Sequence, residues 1–170
     1  MEPILRAVEI DDLPTIRRWR NHASINEYMF TQHEVTEAEH LAWFEASKAN
    51  KLRTLLLYEA FDGIKGFTQL QETSEGSGVY EWGFYVSPEA EAGSGTIMAK
   101  LVFDKLFMEM NARKLCGEVL SFNKPSIKFH QKLGFHQDNL LEAHHHLNGK
   151  RYDVYCFVLL KSEWLKIIKE

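Results

Sequence analysis

Trp82-Gly83-Phe84-Tyr85-Val86-Ser87-Pro88, followed by Ala92-Gly93-Ser94-Gly95-Thr96, is the stretch on which the reading of this chain turns. Val79 to Val86 reads as a strand, and the recurring apolar residues Ile97, Leu101, Phe103, Leu106 and Phe107 predict a helix over Thr96 to Met110. Between them lies a glycine-rich turn. Glycines let successive N–H groups converge on one point, and a helix start adds unpaired donors at its positive dipole end, a combination suited to a pyrophosphate. On its own such a turn is also a plain connection between strand and helix. It lacks the Gly-Lys-Ser/Thr ending of a P-loop and does not complete a Gly-x-Gly-x-x-Gly fingerprint.

Working outward, Leu5 to Val8 reads as a first strand. A helix should start near Asp12, with Pro14 in its first turn and Leu13, Ile16, Trp19 and the stem of Arg20 on one face. A short helix or turn follows around Ile25 to Met29. Thr36 with Glu39 resembles a capping box that opens a helix fading near Asn50. Arg53 to Phe61, Ile64 to Gln71 and Val79 to Val86 predict an antiparallel meander, with Asp62-Gly63 as the first turn and Glu72 to Gly78 as an exposed loop. A strand at Lys114 to Leu120 precedes a helix at Pro125 to Leu133, which Gly134 should terminate. Strands Leu140 to Leu147 and Arg151 to Leu160 flank the hairpin signal Asn148-Gly149. The order predicts an α+β fold, one domain over residues 1–170, whose central mixed, mostly antiparallel sheet is flanked by helices. Val79 to Leu120 should form a parallel, right-handed strand–helix–strand unit.

Composition narrows the function. A net charge of −4, with no clustered Lys or Arg stripe, argues against a nucleic-acid partner. Cys116 and Cys156 lie far apart in no metal-like spacing and read as free thiols of a reducing compartment. No basic leader and no stretch of about 18 apolar residues is present, so a soluble cytoplasmic protein without membrane contact is expected. His144-His145-His146 invites a metal reading, but consecutive strand residues point to opposite faces, and no metal is expected.

Beyond the turn, Glu118-Val119-Leu120-Ser121-Phe122-Asn123 leads into Ser126-Ile127-Lys128-Phe129-His130-Gln131-Lys132-Leu133-Gly134-Phe135. Together with the turn, this block resembles the GNAT N-acyltransferases, over Arg53 to Leu160. The resemblance implies acetyl-coenzyme A as co-substrate. Phe84 and Val86 would pair with its pantetheine arm, Gly93, Ser94, Gly95 and Thr96 would hold its pyrophosphate, and Asn123 and Ser126 would also bind the coenzyme. Two departures stand out: Ala90 where the family often has Gln or Arg, and His130 where it commonly has a tyrosine that protonates the leaving thiolate. His130 would then be the general acid, or else a surface histidine. Removing the proton of an alkylammonium calls for a base, and Glu118 is the candidate, with Glu81 second. Either could instead be an ordinary strand carboxylate. Direct transfer in a ternary complex is expected, because neither cysteine falls in these motifs.

The N-terminal third is similar, more narrowly, to the sugar-nucleotide N-acetyltransferases of pseudaminic acid biosynthesis. The residues concerned are Arg18-Trp19-Arg20-Asn21-His22, Tyr28-Met29-Phe30-Thr31 and Glu39 to Phe44, with the closing hairpin Asn148 to Tyr155. This implies a UDP-4-amino-4,6-dideoxy sugar as acceptor. Arg20 and His40 would contact its diphosphate, Met29, Phe30 and Trp43 would pack on sugar or uracil, and Thr68, Gln69 and Tyr85 would face the same cleft. The same three apolar side chains would serve equally as core. Two other readings stay open, a protein N-terminal or ribosomal-protein acetyltransferase and a non-catalytic acyl-coenzyme A binding domain. A homodimer is compatible with either.

Overall fold

The computed structural model describes residues 2–170. Seven strands form one sheet in the order β1-β2-β3-β4-β5-β7-β6: β1 Ile4–Ala7, β2 Arg53–Ala60, β3 Gly63–Glu72, β4 Val79–Val86, β5 Lys114–Leu120, β6 His136–Leu147 and β7 Lys150–Leu160. Every pairing is antiparallel except β4 with β5, which is parallel as the crossover connection requires. The helices are α1 Leu13–Asn21, α2 Ala23–Asn26, α3 Glu37–Ala49, α4 Ser94–Asp104, α5 Lys124–Lys132 and α6 Lys161–Ile167. None is long and apolar enough to cross a membrane among the described residues.

Local chemistry explains the boundaries. The Thr36 side chain accepts from the Glu39 amide and opens α3, as its capping signature predicts. Gly93, at φ 93°, starts α4 from a left-handed conformation. Asn148 and Gly149 both adopt positive φ, the conformation an Asn-Gly hairpin demands. The predicted long helix ending at Met110 is instead α4 followed by a π-helical turn, Lys105–Glu109. β6 starts four residues earlier than its sequence pattern suggests, and α6 was not expected at all.

Each face of the sheet carries its own core. One buries Tyr80, Trp82, Leu115 and Phe157 with Met98, Val102 and Phe103 of α4. The other packs Leu55, Leu57 and Phe67 against Ile16 and Trp19 of α1 and Phe44 of α3. Period-two alternation explains the division: Tyr80, Trp82, Phe84 and Val86 belong to the first face, so Glu81, Gly83 and Tyr85 take the second.

The feature that positions the site is a parting of strands. β4 and β5 pair only through Val79–Lys114, Tyr80–Leu115 and Glu81–Cys116. β4 then runs on to Val86 and β5 to Leu120 with no ladder between them, while β3 and β7 hold their outer edges throughout. A central sheet split in this way leaves a row of backbone donors and acceptors on each lip, and buried backbone groups need partners. The gap is therefore a place for an extended, amide-bearing chain.

Candidate active site

The split opens into a cleft of about 650 Å³. Its floor on the second sheet face carries Arg53, Gln69, Gln71, Glu81, Gly83, Tyr85, Cys116, Glu118 and Cys156, while Tyr28, Met29 and Phe30 supply a wall. Register orders the floor. Arg53, Gln71, Glu81, Cys116 and Val158 form one row across five strands, and Glu118 with Cys156 belong to the next, beside the gap.

The lips of the gap and the turn below it make one track. Phe84 lines the cleft, and Val86 approaches the turn closely enough that a Cβ on Gly95 would sit 3.4 Å from its Cγ2 and 3.5 Å from Phe129. A side chain at Gly95 would crowd the helix start. Gly93 faces open space, so an anion can reach the backbone there. The Ser94 amide is already committed to the Glu91 carbonyl at 3.1 Å, which leaves the amides of Gly93, Gly95 and Thr96, without backbone acceptors among the described residues, as the free donors. The predicted cradle is thus narrower by one residue. An extended amide in the gap and a pyrophosphate on these donors fit the coenzyme A skeleton.

On α5, the Asn123 side chain caps the helix by accepting from the Ser126 amide, and both residues line the cleft. His130 also lines it, but its ring is only 2% exposed. An indole can only donate, so Trp82 Nε1–H, 3.2 Å away, requires His130 Nε2 to be the bare acceptor. The proton therefore sits on Nδ1, which donates to the Ser126 carbonyl at 2.8 Å. Burial lowers the imidazole pKa further and outweighs the opposing effect of that carbonyl. The ring is also clamped between Phe157 and Phe135. Contrary to the expectation of a general acid, His130 is a neutral imidazole with both nitrogens engaged. It presents no proton to the cleft.

Instead, the Trp82–His130 pair occupies the crotch of the split. A Cβ on Gly117 of β5 would lie 2.7 Å from His130 Nε2 and 2.9 Å from Trp82 Nε1. Only glycine lets the pair reach into the gap.

The other expected residues divide. Glu118, Gln69, Tyr85, Met29 and Phe30 all line the cleft. Burial holds the Tyr85 phenol far above its ordinary range, so it stays protonated and neutral. Arg20 does not line the cleft: its guanidinium donates to Asn26 Oδ1 at 2.7 Å and to the Thr31 carbonyl at 2.7 Å, bracing the loop after α2. His40 is buried and stacked on Trp43 at 4.9 Å, and Trp43 in turn meets Phe67 edge-on, so this pair belongs to the packing of α3. Thr68 is buried on the other sheet face beside Leu56 and Phe84 in register. Of the three consecutive histidines, His145 donates from Nε2 to the Phe30 carbonyl at 2.7 Å and packs on the Phe30 ring.

Both cysteines, expected away from the site, stand on its floor. Burial raises both thiol pKa values, so neither is a ready thiolate. Direct transfer is favoured by this chemistry rather than by their position. Arg53, Gln71, Trp82 and Gly117 escaped notice because their roles depend on strand register. The available signal was a polar residue at alternate positions of central strands.

Residues 4–136 match the family model of the acetyltransferase (GNAT) domain. The chain is 26% identical over 163 residues to the spermidine N(1)-acetyltransferase of Escherichia coli (strain K12), covering 95% of this chain and 87% of that protein. It is 27% identical over 125 residues to the SPbeta prophage-derived uncharacterized N-acetyltransferase YokL of Bacillus subtilis (strain 168), covering 72% and 70%. The crystal structure of spermidine N-acetyltransferase from Vibrio cholerae in complex with CoA and spermine superposes with a TM-score of 0.85 at 22% identity, covering 96% of this chain and 98% of that one. None of these three names a sugar-nucleotide acceptor, so the narrower resemblance gains no support from them.

Proposed function

Since the chain belongs to the GNAT acetyltransferase family and is thereby an acetyl-coenzyme A dependent N-acetyltransferase, we propose that its cleft acetylates the 4-amino group of a UDP-4-amino-4,6-dideoxy sugar. The observation that carries the transferase reading is the β4–β5 split, which opens just before Glu118 and runs down towards the Gly93 turn. Acetyl-coenzyme A fits that track as a co-substrate. Backbone groups of β4 hold its extended arm, and the free amides of Gly93, Gly95 and Thr96 receive its pyrophosphate. Glu118, beside the opening, takes the proton of the acceptor ammonium, directly or through one water. The freed lone pair then attacks the thioester carbonyl, the new C–N bond forms, the C–S bond breaks, and the thiolate takes up the proton shed by the amine. In this reading a backbone N–H of the β4 lip stabilises the oxyanion.

For the acceptor, the wall of Tyr28, Met29 and Phe30 offers aromatic and thioether surfaces suited to a base or a deoxysugar. UDP-4-amino-4,6-dideoxy-N-acetyl-β-L-altrosamine, the acceptor of pseudaminic acid biosynthesis, is the molecule the N-terminal resemblance favours. Cytoplasmic acetylation of that sugar would feed surface or flagellar glycosylation. A second reading, a polyamine acceptor, draws on the carboxylates Glu81, Glu118 and Asp138 of the cleft and on the named spermidine enzymes. Mass spectrometry of products from acetyl-coenzyme A with UDP-amino sugars, spermidine and a peptide N-terminus separates these readings. Acetylated UDP-amino sugar is expected, with turnover about 10²- to 10⁴-fold lower in Glu118→Gln. Acetylspermidine alone would replace the sugar reading, and coenzyme binding without any acetylated amine would remove the enzymatic one.

A further inference from the structure

The cleft holds an arginine that the reaction as described does not use. Arg53 opens β2, lines the cleft, and is paired in register with Gln71. Its Nε donates to Gln71 Oε1 at 2.9 Å, and its Nη1 donates to Ser47 Oγ at 3.2 Å. Both anchors are themselves fixed: Ser47 on α3 is 2% exposed, and the Gln71 amide donates to the Glu72 carbonyl at 3.0 Å. Two neutral acceptors satisfy two of five N–H groups and neutralise none of the charge. Arg6, by contrast, is held between Asp12 and Glu59, whereas Arg20 shares with Arg53 a bracing by neutral acceptors but does not line the cleft. Arg53 has no carboxylate at ion-pair distance among the described residues, with Gln71 standing between it and Glu81 in the row.

A guanidinium braced on one edge by neutral groups and left open on the other is a preorganised fork for an oxyanion. Its place across the floor sets the distance. β2 and β5 are three strand spacings apart, about 14 Å between backbones where the ladder is intact, and Glu118 lies one row further on, where β4 and β5 have parted, so the reach of the arginine brings the span to no less than about 10 Å, the length of an extended acceptor. One acceptor can therefore touch Arg53 with an oxyanion and Glu118 with an amine.

We propose that Arg53 is the specificity-determining residue of the acceptor cleft and binds a phosphate carried by the same molecule whose amine reaches Glu118. This rests on the cleft being the acceptor site, and it identifies the acceptor class as amines bearing a phosphate ester. A polycation would meet repulsion at the same point.

The test is direct binding to full-length protein saturated with coenzyme A, which keeps the Gly93 turn occupied. UDP, inorganic pyrophosphate and succinate are titrated calorimetrically into wild type, Arg53→Gln and Arg53→Lys. UDP and pyrophosphate are expected to bind wild type, with affinity reduced about 10- to 100-fold in Arg53→Gln and partly restored in Arg53→Lys. Coenzyme A affinity should not change. Succinate binding with the same Arg53 dependence in place of the phosphates would move the acceptor class to carboxylates and overturn the phosphate assignment. Equal UDP affinity in all three proteins, or a joint loss of UDP and coenzyme A affinity with a lowered Tm, would reduce Arg53 to a brace between α3 and the sheet. Arg53-dependent UDP binding without any acetylated amine would leave this inference standing and remove the proposed reaction. Acetylation of UDP-amino sugars with unchanged KM in Arg53→Gln would do the reverse.

Discussion

His130 shows how environment decides what a residue can do. A histidine at this place in the α5 motif suggests an imidazole that titrates near neutrality and donates a proton. Trp82 and the Ser126 carbonyl instead fix one neutral tautomer inside an aromatic box. Its folded pKa is lowered by burial, and that of His40 is lowered by burial and then by Arg17 and Arg20. The unfolded chain takes up these protons near pH 6.5 whereas the native protein does not. Below that pH the unfolded state therefore binds more protons, so this stability is present above about 6.5 and is lost as pH falls through the folded values. Urea midpoints should be level from pH 8 to 7 and fall between about pH 6.5 and 5, less steeply in His130→Gln. The Arg6-stabilised Asp12 carboxylate acts only below about pH 4 and leaves this window clear. A level midpoint down to pH 5 would mean that His130 is charged in the native state. The thiols make a parallel case: Cys116→Ser with Cys156→Ser should retain turnover, and an acetyl-cysteine adduct in wild type with an inactive double variant would overturn direct transfer. At this scale the place of Glu118 and Gln69 in the cleft follows from strands readable by alternation, whereas Met29 and Phe30 were pointed to only by the resemblance of the N-terminal third. The place of Arg20 was not legible, since its donors are taken by Asn26 at the end of α2 and by Thr31 in the irregular segment beyond it, a pairing that no periodicity marks.

Between elements, the decisive event is where β4 and β5 separate, and Gly117 governs it. Because the Trp82 indole and His130 ring fill the crotch, a methyl on Gly117 would force them apart or close the gap. Gly117→Ala is expected to cost about 1–3 kcal/mol in stability and to raise the KM for acetyl-coenzyme A. Gly83→Ala is the control: a Cβ there meets nothing within 4 Å, so its melting temperature should match wild type. Equal melting temperatures for the two variants would show that the pair does not wedge the strands. The strands themselves were readable from alternation and turn residues. Their parting was not, because it depends on an indole and an imidazole 48 residues apart. Likewise α6 is too short for helical periodicity to register, and it is held by Glu163 accepting from the Leu160 amide.

For the whole molecule, the C-terminal hairpin ties the two ends of the chain together over the cleft. β6 bulges between Leu141 and His145, where Ala143 takes a φ of 46° and donates its amide to Asp153 Oδ1 at 2.8 Å. Such a bulge bends a strand, and here the tip reaches the segment after α2. His145 bonds the Phe30 carbonyl, Asn148 donates to Gln32 Oε1 at 3.2 Å, and Tyr152 meets Phe122, which stacks on Tyr28. The Tyr28 to Phe30 wall thus owes its place to residues more than ninety positions away. The proposed coenzyme track on β4, α4 and α5 has no part in these contacts. His145→Ala should therefore raise the acceptor KM about 3- to 10-fold, the equivalent of one lost hydrogen bond, while the KM for acetyl-coenzyme A stays put. His145→Gln, which keeps a donor, should recover part of the loss. Steady-state kinetics with each substrate varied in turn reads this out, and parallel changes in both KM values would mean that the hairpin stabilises the fold as a whole instead of shaping the acceptor wall.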